Sequence, residues 1–396
     1  MSSRRSFRFI ALGLLAVMTG LMVPTMTASA MTTYDVQVGR EFPESRGIPG
    51  FSARYYPESI RVHKGDTIHF RGGPGLFLPA GEDPTEWRLA NAANLGDPYF
   101  PFQADPDDGA DAVKFNLDLF EPLEGCGDAA APCEFDGKDV LNSGDVREFF
   151  VTITANPGDV LIAIPPFGMG TEFRIDVVAQ NEAASTQEEL DLLAKDLKKQ
   201  DLDRATELHE EYSDKKEKET TDGGEVVWDA WAGFDEGPIA LLAMYPHKLR
   251  IKRGQSVRWN FSLTNELHTA TLPFAKAESL AFNNFSPQCD PDGDEGTLPD
   301  RDPTNKEQEN EACKEPAITE FDMDRRERNT PRGNGIFTGN KDFEYSGLRA
   351  WDQGEDDFFD PTPWEVQFDK VSPDEGWRYF CTFHGKFMDG FVIVNT

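Results

Sequence analysis

The sequence predicts an all-β protein made of two tandem Greek-key β-sandwiches, and an internal repeat is the main observation behind this prediction. Residues 56–70 and 245–259 share one pattern: a Tyr-Pro pair, a strand, a basic-Gly turn and a second strand. Residues 158–178 align without a gap with residues 376–396, at the other end of each copy. Short segments of alternating apolar and polar residues are typical of half-buried strands, and many of them together indicate a sandwich.

The repeat also sets the predicted domain boundaries. We expect the first sandwich at residues 31–180 and the second at 225–396, both within the usual size of a domain. Residues 181–224 are rich in charge and separate the two copies. We expect this segment to be a helical charged linker.

The first part of the linker has the periodicity of an amphipathic helix. Ser185 and Glu188 have the spacing of a capping box at its start. Apolar residues then recur at helical spacing, at Leu190, Leu193, Leu197, Leu202, Ala205, Leu208 and Tyr212. We expect this stripe to pack on a domain, with residues 213–224 as a flexible stretch. The alternative is a helix that dimerises two chains, which the unsustained heptads disfavour.

The start of the chain resembles an export signal. Met1–Ala30 contains an Arg4-Arg5 pair, an apolar run at 9–24 and an Ala-Ser-Ala cleavage pattern at 28–30. The paired arginines resemble a twin-arginine signal, which exports folded, cofactor-loaded proteins. The apolar run is short for a membrane span, and no other stretch is long enough to be one. We therefore expect an exported protein of the periplasm, cell envelope or extracellular space, with no transmembrane segment in the mature chain.

The charge balance excludes one class of partner. The chain has 71 acidic and 39 basic residues, for a formal net charge of −32. Nucleic acid is excluded because its phosphates require a basic surface. The acidity suits solubility and long-range attraction to a basic partner. Adaptation to a saline medium is the alternative, and composition does not separate the two.

The C-terminal stretch contains the residues that predict chemistry. Cys381, His384 and Met388 lie within eight residues of one another, followed by Gly390 and an apolar run of strand length. The pattern predicts a strand, a ligand loop and a final strand. A thiolate, an imidazole and a thioether on one loop suit copper better than zinc, and electron-transfer copper sites use two His, one Cys and a weak axial Met.

The second histidine should come from a neighbouring strand, and His268 is the candidate because it follows the strand–Gly–strand unit at 248–259. With this unit and the Cys381, His384 and Met388 motif, the second half resembles the cupredoxins, the blue copper proteins of the plastocyanin, azurin and amicyanin type. The resemblance implies one type 1 copper held by these four residues. It also implies one-electron transfer, with His384 as the exit towards a redox partner protein that docks near it.

The first copy resembles a cupredoxin that lacks the copper ligands. Pro79 occupies the position of His268 in the alignment, and Ala163, Pro166 and Gly170 occupy those of the other three ligands. None of these side chains binds copper. We therefore expect a single copper per chain, bound in the second domain.

The remaining cysteines are expected to form disulfides. If copper binds Cys381, four cysteines remain, and an exported protein keeps its disulfides. Cys126 lies close to Cys133 in one loop, and Cys289 lies close to Cys313 in another. We expect these two pairings; the alternative is that one pair stays reduced.

Two further classes of function need weighing. Multicopper oxidases and copper nitrite reductases also stack cupredoxin domains, but they need more copper centres, commonly with His-x-His pairs. The chain has six histidines and no such pair, namely His63, His69, His209, His247, His268 and His384. We therefore expect an electron carrier and not an enzyme. The alternative is a copper-binding carrier or envelope module that uses the same site and exchanges metal instead of electrons.

Overall fold

Strands are the main secondary structure of the residues that the structure describes, beside one α-helix, which confirms the predicted all-β class. This computed structural model describes residues 31–72, 88–91, 102–104, 113–115, 125–138, 141–142, 148–164, 172–264, 268–274, 331, 333–339, 342–347, 349, 362–382, 384 and 388–396. The proposed export signal, Met1–Ala30, lies outside these residues and stays a prediction. Within the described residues, no helix is long and apolar enough to cross a membrane.

The strands of the first half follow one another along residues 33–178, with a short 3-10 helix at Glu44–Arg46. They are β1 (Thr33–Glu41), β2 (Gly50–Tyr56), β3 (Ser59–His63), β4 (Thr67–Gly72), β5 (Arg88–Asn91), β6 (Phe102–Ala104), β7 (Val113–Phe115), β8 (Cys133–Phe135), β9 (Leu141–Asn142), β10 (Glu148–Ile153), β11 (Val160–Ile164) and β12 (Phe173–Val178).

A helix, α1 (Gln187–Asp214), separates these strands from those of the second half. The later strands are β13 (Lys218–Thr220), β14 (Val226–Glu236), β15 (Ile239–Tyr245), β16 (Lys248–Lys252), β17 (Ser256–Asn260), β18 (Thr271–Leu272), β19 (Ile336–Phe337), β20 (Glu344–Tyr345), β21 (Trp364–Phe368), β22 (Trp377–Phe380) and β23 (Asp389–Asn395).

One large sheet passes through both halves of the chain. Its strand order is β19-β21-β17-β14-β15-β2-β1-β4-β10-β8, with β13 paired to β14. The halves join where β15 pairs with β2. Each half also has a sheet of its own, β3-β12-β11-β5-β9 in the first and β16-β23-β22-β18-β20 in the second, while β6 and β7 pair separately. The boundaries predicted at 180 and 225 stay a prediction.

Each half buries a hydrophobic core between its portion of the large sheet and its own sheet. In the first core, Val36 and Phe70 of the large sheet pack with Ile175 of the smaller one. In the second core, Val257 of the large sheet packs with Leu249 and Val392. The alternation of buried and exposed residues in β16 shows how the sequence specifies this arrangement, because its leucine and isoleucine face the core and its three basic residues face out.

The internal repeat predicted from the sequence appears in the strand pairing. β1 runs parallel to β4, and β14 runs parallel to β17. The antiparallel ladders β1–β2 and β14–β15 both shift register at a glycine of positive φ, at Gly39 and Gly233. A bulge of this kind leaves the extra residue unpaired and bends the strand.

The gap-free alignment of the last strands is off by one residue in the structure. Arg174 lies opposite Ser59, and Phe391 lies opposite Lys248. The alignment of 158–178 with 376–396 would instead match Arg174 with Val392. The gap-free alignment therefore does not match this strand pairing residue for residue.

Helix α1 begins one residue later than predicted. Thr186 is the N-cap and forms the capping box with Glu189. The Ser185 side chain is used elsewhere, because its Oγ accepts a hydrogen bond of 3.0 Å from the backbone N–H of Arg61 in β3. A strand neighbour therefore decides which of two adjacent hydroxyl residues caps the helix.

The buried face of α1 also differs from the predicted stripe. Leu190, Ala205, Leu208 and Tyr212 are buried as predicted, but Leu193 is 52% exposed and Ala194 is buried in its place. The predicted flexible stretch at 213–224 is also partly wrong, because β13 forms there and pairs with β14.

The predicted disulfide between Cys126 and Cys133 is present. The other predicted pair, Cys289 and Cys313, lies outside the described residues. Among the described residues, Cys381 is a free and fully buried cysteine.

One buried carboxylate attaches α1 to the first half of the large sheet. Asp201 is 2% exposed and lies on the packed face of the helix. Its carboxylate accepts hydrogen bonds from Ser52 Oγ at 2.8 Å, Arg54 Nε at 3.0 Å and Tyr56 Oη at 2.6 Å. A buried charge is tolerated only when it is paired and hydrogen-bonded in this way.

Asp201→Ala should lower the free energy of unfolding by about 3 kcal/mol, because it leaves two hydroxyls without their acceptor and the half-buried Arg54 guanidinium with Glu58 as its remaining carboxylate partner. Asp203→Ala is the matched control, since Asp203 lies on the exposed face of the same helix and pairs only with Lys199. Urea denaturation of both variants measures the difference. Equal effects of the two substitutions would contradict the structural role given to Asp201.

Candidate metal centre

Three of the four predicted ligands lie together inside the second half. His268, Cys381 and His384 place their ligand atoms within 4.8 Å of one another. Cys381 Sγ lies 3.9 Å from His268 Nδ1 and 3.6 Å from His384 Nδ1. The two imidazole rings have centroids 4.6 Å apart and are tilted by 45°. The cluster is closed to solvent, with exposures of 0%, 0% and 3% in that order.

The hairpin between β22 and β23 places the cysteine and the methionine. Phe380 pairs with Asp389 as the last rung of the ladder, so Cys381 and Met388 are the first residues beyond it. The N–H of Cys381 donates to the carbonyl of Met388 at 3.0 Å. Met388 is fully buried and packs in the second core together with Cys381. The strand pairing thus holds both ends of the ligand loop.

A backbone bridge places His268. His268 and Arg349 exchange two backbone hydrogen bonds of 2.9 Å. Arg349 is itself buried, and its guanidinium donates to the carbonyl of Ser346 at 2.8 Å and to Thr362 Oγ1 at 2.9 Å. A few residues further on, Thr271 pairs with Phe380. This pairing brings the histidine segment alongside the strand that ends at the cysteine.

Two threonines connect the histidine segment to the cysteine loop. Thr269 Oγ1 accepts from the N–H of Thr382 at 2.8 Å and lies 3.0 Å from its hydroxyl. The backbone N–H of Thr269 donates to Cys381 Sγ at 3.3 Å. Both threonines are fully buried. The sulfur is therefore held by a fixed backbone donor as well as by the strand.

Gly233, the bulge residue of β14, lies directly against the ring of His268. A Cβ at this position would come within 2.4 Å of His268 Nε2, and the backbone φ is +82°. Both features require glycine, because other residues rarely adopt this φ and any side chain would overlap the imidazole. The bulge thus provides the space in which the ring sits.

The electrostatics of the cluster favour the protonation states that bind metal. Burial raises the pKa of the Cys381 thiol, but hydrogen bonds and charge from His384, with the N–H of Thr269, leave that pKa below its ordinary value. Burial and the neighbouring His384 hold the pKa of His268 well below its ordinary value. Thiolate and neutral imidazole are the forms that act as ligands.

The spacing of the donors also fits a metal ion. An ion about 2.3 Å from sulfur and about 2.0 Å from nitrogen separates those two atoms by about 3.5 to 3.8 Å at tetrahedral to trigonal angles. The measured separations of Sγ from the two Nδ1 atoms, 3.6 and 3.9 Å, lie close to this range. A buried cysteine sulfur and two imidazole nitrogens at this spacing can therefore hold one transition-metal ion.

The other four histidines lie apart from the cluster, each beside a different partner. His63 lies 3.8 Å from Asp66, and His69 lies 2.7 Å from Asp35. His209 contacts the hydroxyl of Tyr245 at 2.9 Å, and His247 contacts Asp389 at 3.1 Å. None of these four contacts involves His268, Cys381 or His384.

In the first half, only one of the four positions aligned with the ligands is described. Ala163 is fully buried in the first core, facing inward as Cys381 does in the second. Pro79, Pro166 and Gly170 lie outside the described residues, as do the aromatic neighbours of His384 at positions 383 and 387. His384 itself is almost completely buried, although a docking role near it was predicted.

Sequence reasoning missed the residues that support the ligands. Gly233 and Thr264 contact His268 directly, and Asp235 contacts Thr264. None of these three residues belongs to the Cys-His-Met motif. A Gly within a strand pattern is a signal for a bulge. It does not tell which side chain fills the space above that bulge.

Comparisons with known proteins give only weak similarities. No family model matches the chain, and no curated protein matches it. Among solved structures, a Cu-containing nitrite reductase from Thermus scotoductus SA-01 is 11% identical, with 92% of this chain and 68% of that chain covered and a TM-score of 0.22. These values are too low to establish a family or a function.

Two oxidases are similar to this chain with equally low identities and TM-scores. The multicopper oxidase mgLAC is 10% identical, with 61% of this chain and 65% of that chain covered and a TM-score of 0.17. The Blue Copper Oxidase from Nitrosomonas europaea is 9% identical, with 61% and 64% covered and a TM-score of 0.18. The chain spans less than two thirds of either oxidase.

Gly233→Ala should weaken metal binding, because the added methyl group displaces the ring of His268. Gly237→Ala is the matched control: it also has a positive φ, of +57°, but nothing lies within 4 Å of its added Cβ. Both substitutions should cost about 1 to 2 kcal/mol of stability from backbone strain. Only the first should reduce affinity for Zn(II) in a competition titration, and equal affinities would contradict the contact.

Proposed function

We propose that this protein binds one copper ion in its second half and transfers single electrons, as a cupredoxin-like carrier. The observation that carries the proposal is the buried cluster in which Cys381 Sγ lies 3.6 and 3.9 Å from two imidazole nitrogens. The loop that contains the thiolate ends at a buried methionine. This donor set is typical of electron-transfer copper sites.

The choice of copper over zinc follows from the softness of the donors. Structural zinc sites have four strong ligands in a closed tetrahedron. Here the buried Met388, at the end of the same loop, would add a thioether to a thiolate and two imidazoles, and a weak thioether donor suits copper better than zinc. When bound, copper supplies the change between its two oxidation states that moves one electron.

The protein's own contribution is a rigid, dry cavity. The hydrogen bond from Cys381 to Met388, the bridge from His268 to Arg349 and the Thr269–Thr382 pair fix the donors before any metal arrives. A site held in this way moves little when the charge of its ion changes. Small reorganisation favours rapid electron exchange, which supports the role of an electron carrier.

The partner remains part of the proposal. We expect a redox protein to dock near His384, the ligand on the loop. The net charge of −32 favours a partner with a basic surface through long-range attraction. A carrier that exchanges metal is distinguished by lability: a chelator removes copper readily from a carrier, whereas a redox site of this kind retains it.

Cys381→Ser should abolish an intense visible absorption band of the oxidised copper protein, since that band arises from thiolate bound to Cu(II). His268→Ala should weaken or remove the band. His247→Ala is the matched control, because His247 is half exposed and contacts Asp389 rather than the cluster. A visible spectrum of each oxidised variant gives the answer, and unchanged colour in Cys381→Ser would disprove the ligand assignment.

Met388→Leu should keep the band and raise the reduction potential. Leucine preserves the buried volume but removes the sulfur donor, and loss of a donor in a dry site disfavours the more highly charged Cu(II). Protein-film voltammetry of the variant and the unaltered protein measures the shift. A potential that stays constant or falls would mean that Met388 is not an axial ligand.

The full chain should bind one tightly held copper, and Cys381→Ser should bind none after dialysis. The reason is that, among the described residues, His268, Cys381 and His384 form the group that could hold a metal ion, and all three lie in the second half. Elemental analysis against protein concentration measures the ratio. Two copper ions per chain would show that the first half has ligands outside the aligned positions.

A further inference from the structure

A short hydrogen-bonded chain extends from the far side of His268 to a carboxylate. His268 Nε2 lies 2.8 Å from Thr264 Oγ1, and the Thr264 hydroxyl donates to Asp235 Oδ2 at 3.2 Å. His268 and Thr264 are buried, with exposures of 0% and 1%, while Asp235 is half-buried. The chain therefore leads from the interior of the cluster towards the surface.

The two hydrogen bonds of this chain have a defined direction, because the Thr264 hydroxyl has only one hydrogen to donate. An ionised carboxylate only accepts hydrogen bonds. Thr264 therefore gives its hydrogen to Asp235 and accepts one from His268, which places the proton of the neutral imidazole on Nε2. The other nitrogen, Nδ1, then carries a lone pair, and this is the atom 3.9 Å from Cys381 Sγ.

The backbone holds the members of this chain in place. The N–H of Asp235 donates to the carbonyl of Leu263 at 2.6 Å, so β14 is joined to the turn that contains Thr264. Gly233, two residues before Asp235, lies under the same imidazole ring. Strand β14 thus provides both the space for the His268 ring and the acceptor at the end of the hydrogen-bonded chain.

We infer that Thr264 and Asp235 are positioning residues that fix the tautomer of His268 and tune the metal it binds. The inference deepens the proposed copper site and rests on it. Partners in hydrogen bonds to a ligating histidine set its orientation and increase its strength as a donor. The negative charge of Asp235, passed on through Thr264, should favour the more highly charged state of the bound ion and so lower its reduction potential.

The tautomer is tested on metal-free protein, which separates this inference from the copper proposal. Long-range proton–nitrogen correlation spectra of protein with ¹⁵N-labelled histidine report which nitrogen carries the proton, and loss of the signals in His268→Ala assigns them. We expect an Nε2–H tautomer in the unaltered protein and in Thr264→Ser. Thr264→Val should shift His268 towards Nδ1–H. An Nδ1–H tautomer in the unaltered protein, or no shift in Thr264→Val, would overturn the inference.

The same variants are then tested with copper. Thr264→Val should lose about tenfold to a hundredfold in affinity for Cu(II), the usual cost of losing such a partner, while Thr264→Ser should retain it. If the unaltered protein binds no copper, the proposed function fails, and the tautomer measurement still decides the role of Thr264. Circular dichroism confirms that each variant is folded.

The effect of the Asp235 charge on the reduction potential is tested with two matched variants. Asp235→Asn keeps an acceptor for Thr264 but removes the charge, and should raise the reduction potential. Glu236→Gln removes the same charge from the next residue of β14, which is exposed and pairs with Arg204. We expect a clearly larger shift for Asp235→Asn, and equal shifts in the two variants would overturn the part assigned to Asp235.

Discussion

The structure of the second half depends on one constraint, the burial of a cysteine sulfur beside two imidazoles. Charged sulfur in a dry interior is unfavourable unless fixed donors or an ion compensate it. Here the N–H of Thr269 and the ring of His384 face Cys381 Sγ, and His268 approaches from a separate segment. The bulge at Gly233 and the bridge at Arg349 are needed because the His268 ring must reach this point.

The two halves share a scaffold and differ at the end of one hairpin. Parallel pairs β1–β4 and β14–β17, and a glycine bulge in each first strand, show the same construction. In the first half, aromatic packing of Tyr55 against Phe173 at 5.3 Å occupies the core. The large sheet continues from one half into the other through β2 and β15. One continuous sheet therefore joins the two halves, which also resemble each other in construction.

Patterns within short segments predicted the helix correctly. They failed in detail where a residue elsewhere in the fold formed a contact that the pattern did not include. The helix was predicted from its apolar spacing, but its cap moved because Ser185 bonds β3 and left Thr186 to cap. Leu193 belongs to the same apolar period, but it is exposed, while the next residue, Ala194, is buried. Strand β13 formed in a stretch too charged to predict, since β14 offered it an open edge.

The sequence by itself determined the all-β class, the internal repeat and the loop of Cys381, His384 and Met388, because each depends on residues close together in the chain. It also named His268, but only the tertiary structure brought this residue to the cysteine, across a separation of 113 residues. Thr264, Asp235 and Gly233 could not be predicted, since their roles depend on which atoms meet across β14. Such contacts are decided by register and packing, which no short sequence pattern encodes.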